Sequence, residues 1–135
     1  MKRRALLVTT IALAACGAKK PRCQRCGMVL DPTSRWLAEL VKGDVVERFD
    51  TPKCAFVAWR RRPKDGTTAR FRGYYGQKVH DAGDVVFALG GDVLGPMGPD
   101  LVPVEKEHGA RFTRDHGATK LLGEADITLD LADGL

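Results

Sequence analysis

Hydrophobic and polar positions fall into two successive sets of similar order along the chain. In the first, residues 36–41 and Val45–Phe49 predict two strands around the turn Lys42-Gly43-Asp44. Asp50 or Thr51 can then cap a helix with Pro52 in its first turn, where a missing N–H costs nothing. Phe56 and Trp59 fall on one face of that helix, Pro63 ends it, and residues 70–74 return as a strand. The second set opens with the apolar run Val85–Leu89 and passes through a turn-rich stretch starting at Gly90-Gly91-Asp92. A short strand follows over 101–104, then a helix over 105–116 closed by Gly117. Glu105 and Glu107 in its first turn, with Arg111, Arg114 and His116 near its end, suit the helix dipole. Gly109 inside it costs about 1 kcal/mol relative to Ala. Residues 119–122 close the set as a strand. The pattern predicts an α+β fold of two consecutive ββαβ units, 23–78 and 79–123. A loose acidic tail with Asp126, Asp130 and Asp133 is expected over 124–135.

Ahead of the two sets lies a segment of another kind. Lys2, Arg3 and Arg4 make a positive start, and the apolar run over 5–15 is too short for a bilayer, which needs about 20 apolar residues. This is the form of a secretory leader, 1–15. Leu13-Ala14-Ala15-Cys16 has the pattern of a bacterial lipobox, whose small residues admit a signal peptidase and whose thiol takes diacylglycerol. Cys16 is expected to be the lipidated start of the mature chain, followed through residue 22 by a short polar tether; the alternative is a plain leader cleaved near Cys16. Gly17, not Asp, follows the Cys. The expected location is therefore a periplasm-facing outer membrane, or the cell membrane of a source that has no outer one.

Charge changes the picture little. Lys2, Arg3 and Arg4 supply three units of the formal net charge of +5, so removal of the leader leaves +2. Arg60-Arg61-Arg62 with Lys64 is an isolated basic run, read as a solvated helix end and not as a nucleic-acid surface.

The chemistry is concentrated in sulfur. Cys23-Gln24-Arg25-Cys26-Gly27-Met28 places two thiols and a thioether within one short stretch. Thiolate and thioether together select Cu(I), whereas CxxC alone serves zinc, Fe–S clusters and disulfides equally well. A Cys23–Cys26 disulfide, a thioredoxin-like redox pair, and a zinc site of Cys23, Cys26, Cys54 and His80 all remain open. Cys54 in the first turn of its helix, where the dipole lowers a thiol pKa, is either a third ligand or a small core residue. Met97, held between Gly95-Pro96 and Gly98-Pro99, lies on no regular element, so its thioether is available for presentation. His80 beside Asp81 offers a nitrogen donor or a strand-edge surface residue. There is no GxSxG, no HExxH and no Gly-rich phosphate loop after a strand, which argues against an ordinary enzyme.

Lipobox Cys16, Cys23-x-x-Cys26-Gly27-Met28, Phe49-Asp50-x-x-x-Cys54 and Gly95-Pro96-Met97-Gly98-x-x-x-x-Pro103 together resemble the NosL family, the nitrous oxide reductase accessory lipoproteins. The resemblance covers residues 13–123. It implies two ββαβ units and a periplasmic, lipid-anchored Cu(I) protein that supplies copper to nitrous oxide reductase or another periplasmic copper acceptor. The implied ligands are Cys23 or Cys26, Met28 and Met97. The chain departs from the family pattern at Val79-His80-Asp81-Ala82, where an aromatic residue, a small residue, Asp and Ala are usual.

Overall fold

The computed structural model describes residues 17–135, so the leader and Cys16 lie outside the described residues. Strands β1 (Ala38–Lys42) and β2 (Val45–Phe49) form an antiparallel hairpin in which Lys42 faces Val45 and Ala38 faces Phe49. Gly43 takes a φ of +57°, which suits the first position of a two-residue hairpin loop. Helix α1 (Pro52–Arg60) follows, and β3 (Thr68–Arg72) returns along the free edge of β1. In the second half, β5 (Val85–Leu89) pairs with β6 (Val102–Glu105), then helix α2 (Gly109–His116) leads to β7 (Lys120–Leu122) on the other side of β5. Each half therefore sets its first strand between its second and third. The fold is α+β, with two antiparallel sheets of matching order.

Three features differ from the pattern in the sequence. Residues 79–81, which the pattern places within the second unit without an element of their own, form strand β4 (Val79–Asp81), which pairs antiparallel with β3 and completes a β2-β1-β3-β4 sheet. A tight reversal, with Gly73 N–H donating to Lys78 O and Gln77 N–H to Gly73 O, brings it onto the unpaired edge of β3. The second helix starts at Gly109, and Lys106–His108 is a 3₁₀ turn before it. A Cβ on Gly109 would approach Leu121 Cδ1 to 3.2 Å and Val86 Cγ2 to 3.5 Å, so the glycine lets α2 lie close on its sheet. Glu105 is accordingly not in a helix turn; it is buried at the end of β6, accepting the N–H groups of Tyr75 and Gly76. Burial would raise its pKa, but its own backbone N–H together with those of Gly76 and Tyr75 outweighs it and holds the carboxyl below its ordinary value.

The third difference is the tail, which is packed. Ile127 and Ala132 are fully buried, and α3 (Leu129–Asp133) lies on α1. Arg60 reaches across to Ile127 O at 2.7 Å and to Glu124 at 3.0 Å. The apolar residues between the tail aspartates supply the buried face, and the aspartates remain outside.

The two halves share one core. Phe56 of α1, Phe71 of β3 and Phe87 of β5 meet with ring centroids 4.9–5.2 Å apart. β5 serves both sides of its sheet: Val85 and Phe87 face the first half, while Ala88 joins Val104 and Phe112 under α2. That double burial is why 85–89 reads as an unbroken apolar run and not as an alternation. No helix among the described residues is long and apolar enough to cross a membrane.

Candidate metal centre

The end of β2 and the start of α1 form the back wall of the site. Thr51 is the N-cap, extended at φ −142° and ψ 158°, and its Oγ1 accepts the Cys54 N–H at 3.3 Å. Pro52 takes the first helical position. Because Thr51 supplies the cap, the carboxylate of Asp50 is free to turn elsewhere, and it accepts the Cys26 thiol at 3.3 Å.

The CxxC segment folds over that wall as a closed loop. Cys23 N–H donates to Met28 O at 2.8 Å and Gly27 N–H to Cys23 O at 3.0 Å, with Gly27 at φ +77°. Gln24 N–H donates to Arg48 O, which pins the loop to the end of β2. As a result the Cys23, Cys26 and Cys54 sulfurs and an Asp50 oxygen lie within 4.8 Å of one another. Cys23 and Cys54 are buried and Cys26 is exposed, so the cluster opens on one side. All three are free thiols, so neither CxxC sulfur is tied up in a disulfide. The motif lies in a loop and opens no helix, which removes the basis of the thioredoxin-like reading.

Proton affinities within the cluster diverge. The Cys54 thiol donates to Cys23 and lowers its pKa to about 6; burial opposes this, and backbone N–H groups of Cys26, Asp50 and Arg25 add to the lowering. Cys54 moves the opposite way, because it is the donor in that bond and is fully buried. The neighbouring sulfur thus opposes the helix dipole at Cys54 and favours the ionised form of Cys23. Burial also raises Cys26. Arg25 places Nη1 3.7 Å from Cys54 Sγ and Nη2 2.7 Å from Asp133 Oδ1, which links the loop to α3. Asp50 Oδ2 is buried without a hydrogen-bond partner, an acceptor left over for an ion.

Met28 and Met97 are both exposed, at 43% and 39%. Met28, Asp50 and Pro96 line one groove of about 180 Å³. Met97 follows Pro96 in a turn closed by paired bonds between Gly95 and Gly98, at 2.7 and 3.1 Å. The two methionine segments thus border the carboxylate side of the cluster. His80 does not join it. It sits on β4, at the opposite edge of the sheet from β2, facing Phe71 across the ladder, and its Nε2 is buried without a partner. His116 bonds Asp92 at 2.9 Å, and His108 meets Tyr75 edge-on with ring centroids 5.2 Å apart, so both are engaged away from the cluster.

A family model described as NosL matches residues 17–132 and so takes in both the CxxCGM loop and the GPMG turn. The chain belongs to the NosL family. No curated protein matches it. Among solved structures it is similar to the copper chaperone NosL from Shewanella denitrificans, with a TM-score of 0.62 and 18% identity over 80% of this chain and 90% of that one. The likeness establishes a common NosL fold for the two.

Asp50 is the site residue that sequence reasoning on this NosL chain missed. The sequence offers it as a helix cap in competition with Thr51 and as part of the Phe49-Asp50-x-x-x-Cys54 element of the resemblance, but not as a ligand. The available signal was the four-residue spacing of Asp50 and Cys54 across that cap, which sets a carboxylate beside a thiol when the neighbour takes the capping role. In the four-residue cluster, Asp50 stands where the zinc alternative placed His80.

Proposed function

We propose that the chain is a lipid-anchored carrier of Cu(I), held on the periplasmic side of a membrane through Cys16, that supplies copper for maturation of nitrous oxide reductase. The observation that carries this reading is the half-open cluster of Cys23, Cys26, Cys54 and Asp50, with Met28 and the Met97 turn on its rim. Soft sulfur donors favour Cu(I). Cys23, its pKa lowered to about 6 by the neighbouring thiol, gives up its proton to an incoming ion more readily than an ordinary thiol. An ion held by two or three sulfurs, with the exposed donors on the outer side, leaves room for a recipient's ligand to enter before a donor leaves. Transfer by such ligand exchange makes the chain a carrier and not an enzyme. Membership of the NosL family and the fold shared with the Shewanella denitrificans copper chaperone support copper as the cargo. Nitrous oxide reductase as recipient rests on the family resemblance, with another periplasmic copper acceptor as the alternative.

The test is anaerobic Cu(I) titration of the reduced domain against a chromophoric chelator, repeated with zinc. Met28→Ala and Met97→Ala should each weaken Cu(I) by a factor of ten or more, about 1.4 kcal/mol each, and leave zinc nearly unchanged. Unchanged Cu(I) affinity in both variants would reject the methionines as donors.

One observation favours a second reading. Three thiols and one carboxylate make a four-ligand set of the kind that holds zinc. On that reading loss of any of the three thiols or of the Asp50 carboxylate would weaken zinc, and neither methionine would matter.

A further inference from the structure

The first turn of α1 is completed from the other half of the chain. Pro52 has no N–H, Cys54 N–H goes to Thr51 Oγ1, and Ala55 N–H goes to Thr51 O. Lys53 N–H is the remaining donor of that turn, and Asp100 Oδ1 accepts it at 2.8 Å from 47 residues away. The same oxygen accepts Leu101 N–H at 2.8 Å. Asp100 is only 3% exposed, and its second oxygen is buried with no partner. Burying a carboxylate is costly unless donors meet it, and a helix N-terminus is a place where they do. Capping alone does not need so distant a residue.

The position of Asp100 supplies the missing reason. It stands at the base of the Gly95–Gly98 turn that carries Met97. A Cβ on Gly95 would lie 3.0 Å from Asp100 Cβ and 3.1 Å from its Oδ2, so the turn closes down on the carboxylate. Lys53 grips the same segment a second time, with Nζ 3.2 Å from Pro99 O. Lys53 directly precedes Cys54. A short, hydrogen-bonded path thus runs from the cysteine cluster through Lys53 and Asp100 to the methionine turn.

We infer that Asp100 is a positioning residue for Met97, its buried carboxylate locking the Gly95–Gly98 turn to the first turn of α1 so that the thioether is held beside the cysteine cluster. This rests on the proposed role of Met97 as a Cu(I) donor. A residue that merely stabilises the fold would weaken every metal and would act independently of Met97. A residue that positions Met97 acts on Cu(I) alone and loses its effect once the thioether is gone.

The experiment measures Cu(I) and zinc affinities of the reduced mature protein in detergent, by chelator competition, for Met97→Ala, Asp100→Ala, Asp100→Asn and the Met97→Ala/Asp100→Ala pair. Asp100→Ala should weaken Cu(I) about as much as Met97→Ala, roughly tenfold, and the double variant should be no weaker than either. Zinc affinity should stay within about twofold. Asp100→Asn, which keeps an acceptor at Oδ1, should recover most of the loss. Additive losses in the double variant, or a parallel loss of zinc, would overturn the inference. A Met97→Ala protein that binds Cu(I) like the parent would instead remove the donor role of Met97, in a variant where Asp100 is untouched, and the inference would fall with it. If Asp100→Ala does not fold, Gly95→Ala presses a methyl onto the intact carboxylate. Its loss must likewise vanish in the Met97→Ala background, and additivity there counts against the inference.

Discussion

Cys54→Ala tests the division of labour inside the sulfur cluster. Cys54 is fully buried and its thiol donates to Cys23, which is the largest cause of the Cys23 pKa standing at about 6 and not at 9.0. At pH 7 a thiol of pKa about 6 is about ten parts thiolate to one part thiol, whereas at 9.0 only about one part in a hundred is ionised. Removing the donor leaves backbone N–H groups of Cys26, Asp50 and Arg25 to lower the pKa, and burial to raise it. The Cys23 transition should therefore move up from about 6 toward the ordinary range, and most of its thiolate at pH 7 should disappear. The assay is thiolate absorbance near 240 nm as a function of pH, on reduced, metal-free protein. Cys26→Ser in both backgrounds removes the exposed thiol from the signal. The parent should show a transition near neutrality that Cys54→Ala lacks. If both titrate alike, Cys54 is not what ionises Cys23, and the account of the cluster's electrostatics is wrong.

Asp100 gives a second titration with the opposite sign. Burial raises its pKa from 3.8 to about 6, so the folded protein keeps a proton that the unfolded chain has released; this contribution favours folding fully below about pH 4 and is lost as pH rises through 6. The loss approaches about 3 kcal/mol and should vanish in Asp100→Asn, read as the difference between urea midpoints at pH 4 and pH 7.5; an equal difference in parent and variant would refute it. Cys16→Ala should accumulate an unprocessed precursor that takes up no labelled palmitate, and normal processing of that variant would remove the anchor from the proposal. In a source that makes nitrous oxide reductase, deleting the gene should leave the reductase polypeptide present but short of copper, most of all when external copper is scarce. Full copper occupancy of the reductase under those conditions would reject it as the recipient.

The local features were legible because they depend on neighbours in the chain. Val45–Phe49 and Val85–Leu89 are strands where the apolar pattern places them, Thr51 and Pro52 start α1, and Gly117 closes α2 with a φ of +69°. Each follows from backbone sterics, capping or periodicity within a few residues. The repeated order of those elements also carried the two ββαβ units, and the two cysteines of the CxxCGM motif are members of the cluster with Cys54 and Asp50.

Tertiary structure decided what depends on residues far apart. Asp50 and Thr51 compete for one cap, and only the packing of the CxxC loop onto β2 turns Asp50 toward Cys26. Cys54 has the position of a low-pKa thiol at a helix start until Cys23 is placed against it, when the bond between the two sulfurs and burial raise Cys54 and that bond lowers Cys23. β4 crosses into the first sheet because an unpaired strand edge lies within reach of a tight reversal, which no periodicity records. The acidic tail docks because Ile127 and Ala132 find a surface on the other elements. Asp100 meets Lys53 across 47 residues for the same reason. Hydrogen bonds and burial between distant segments are satisfied only when the chain closes on itself, and they decide which of the residues visible in the sequence share a site.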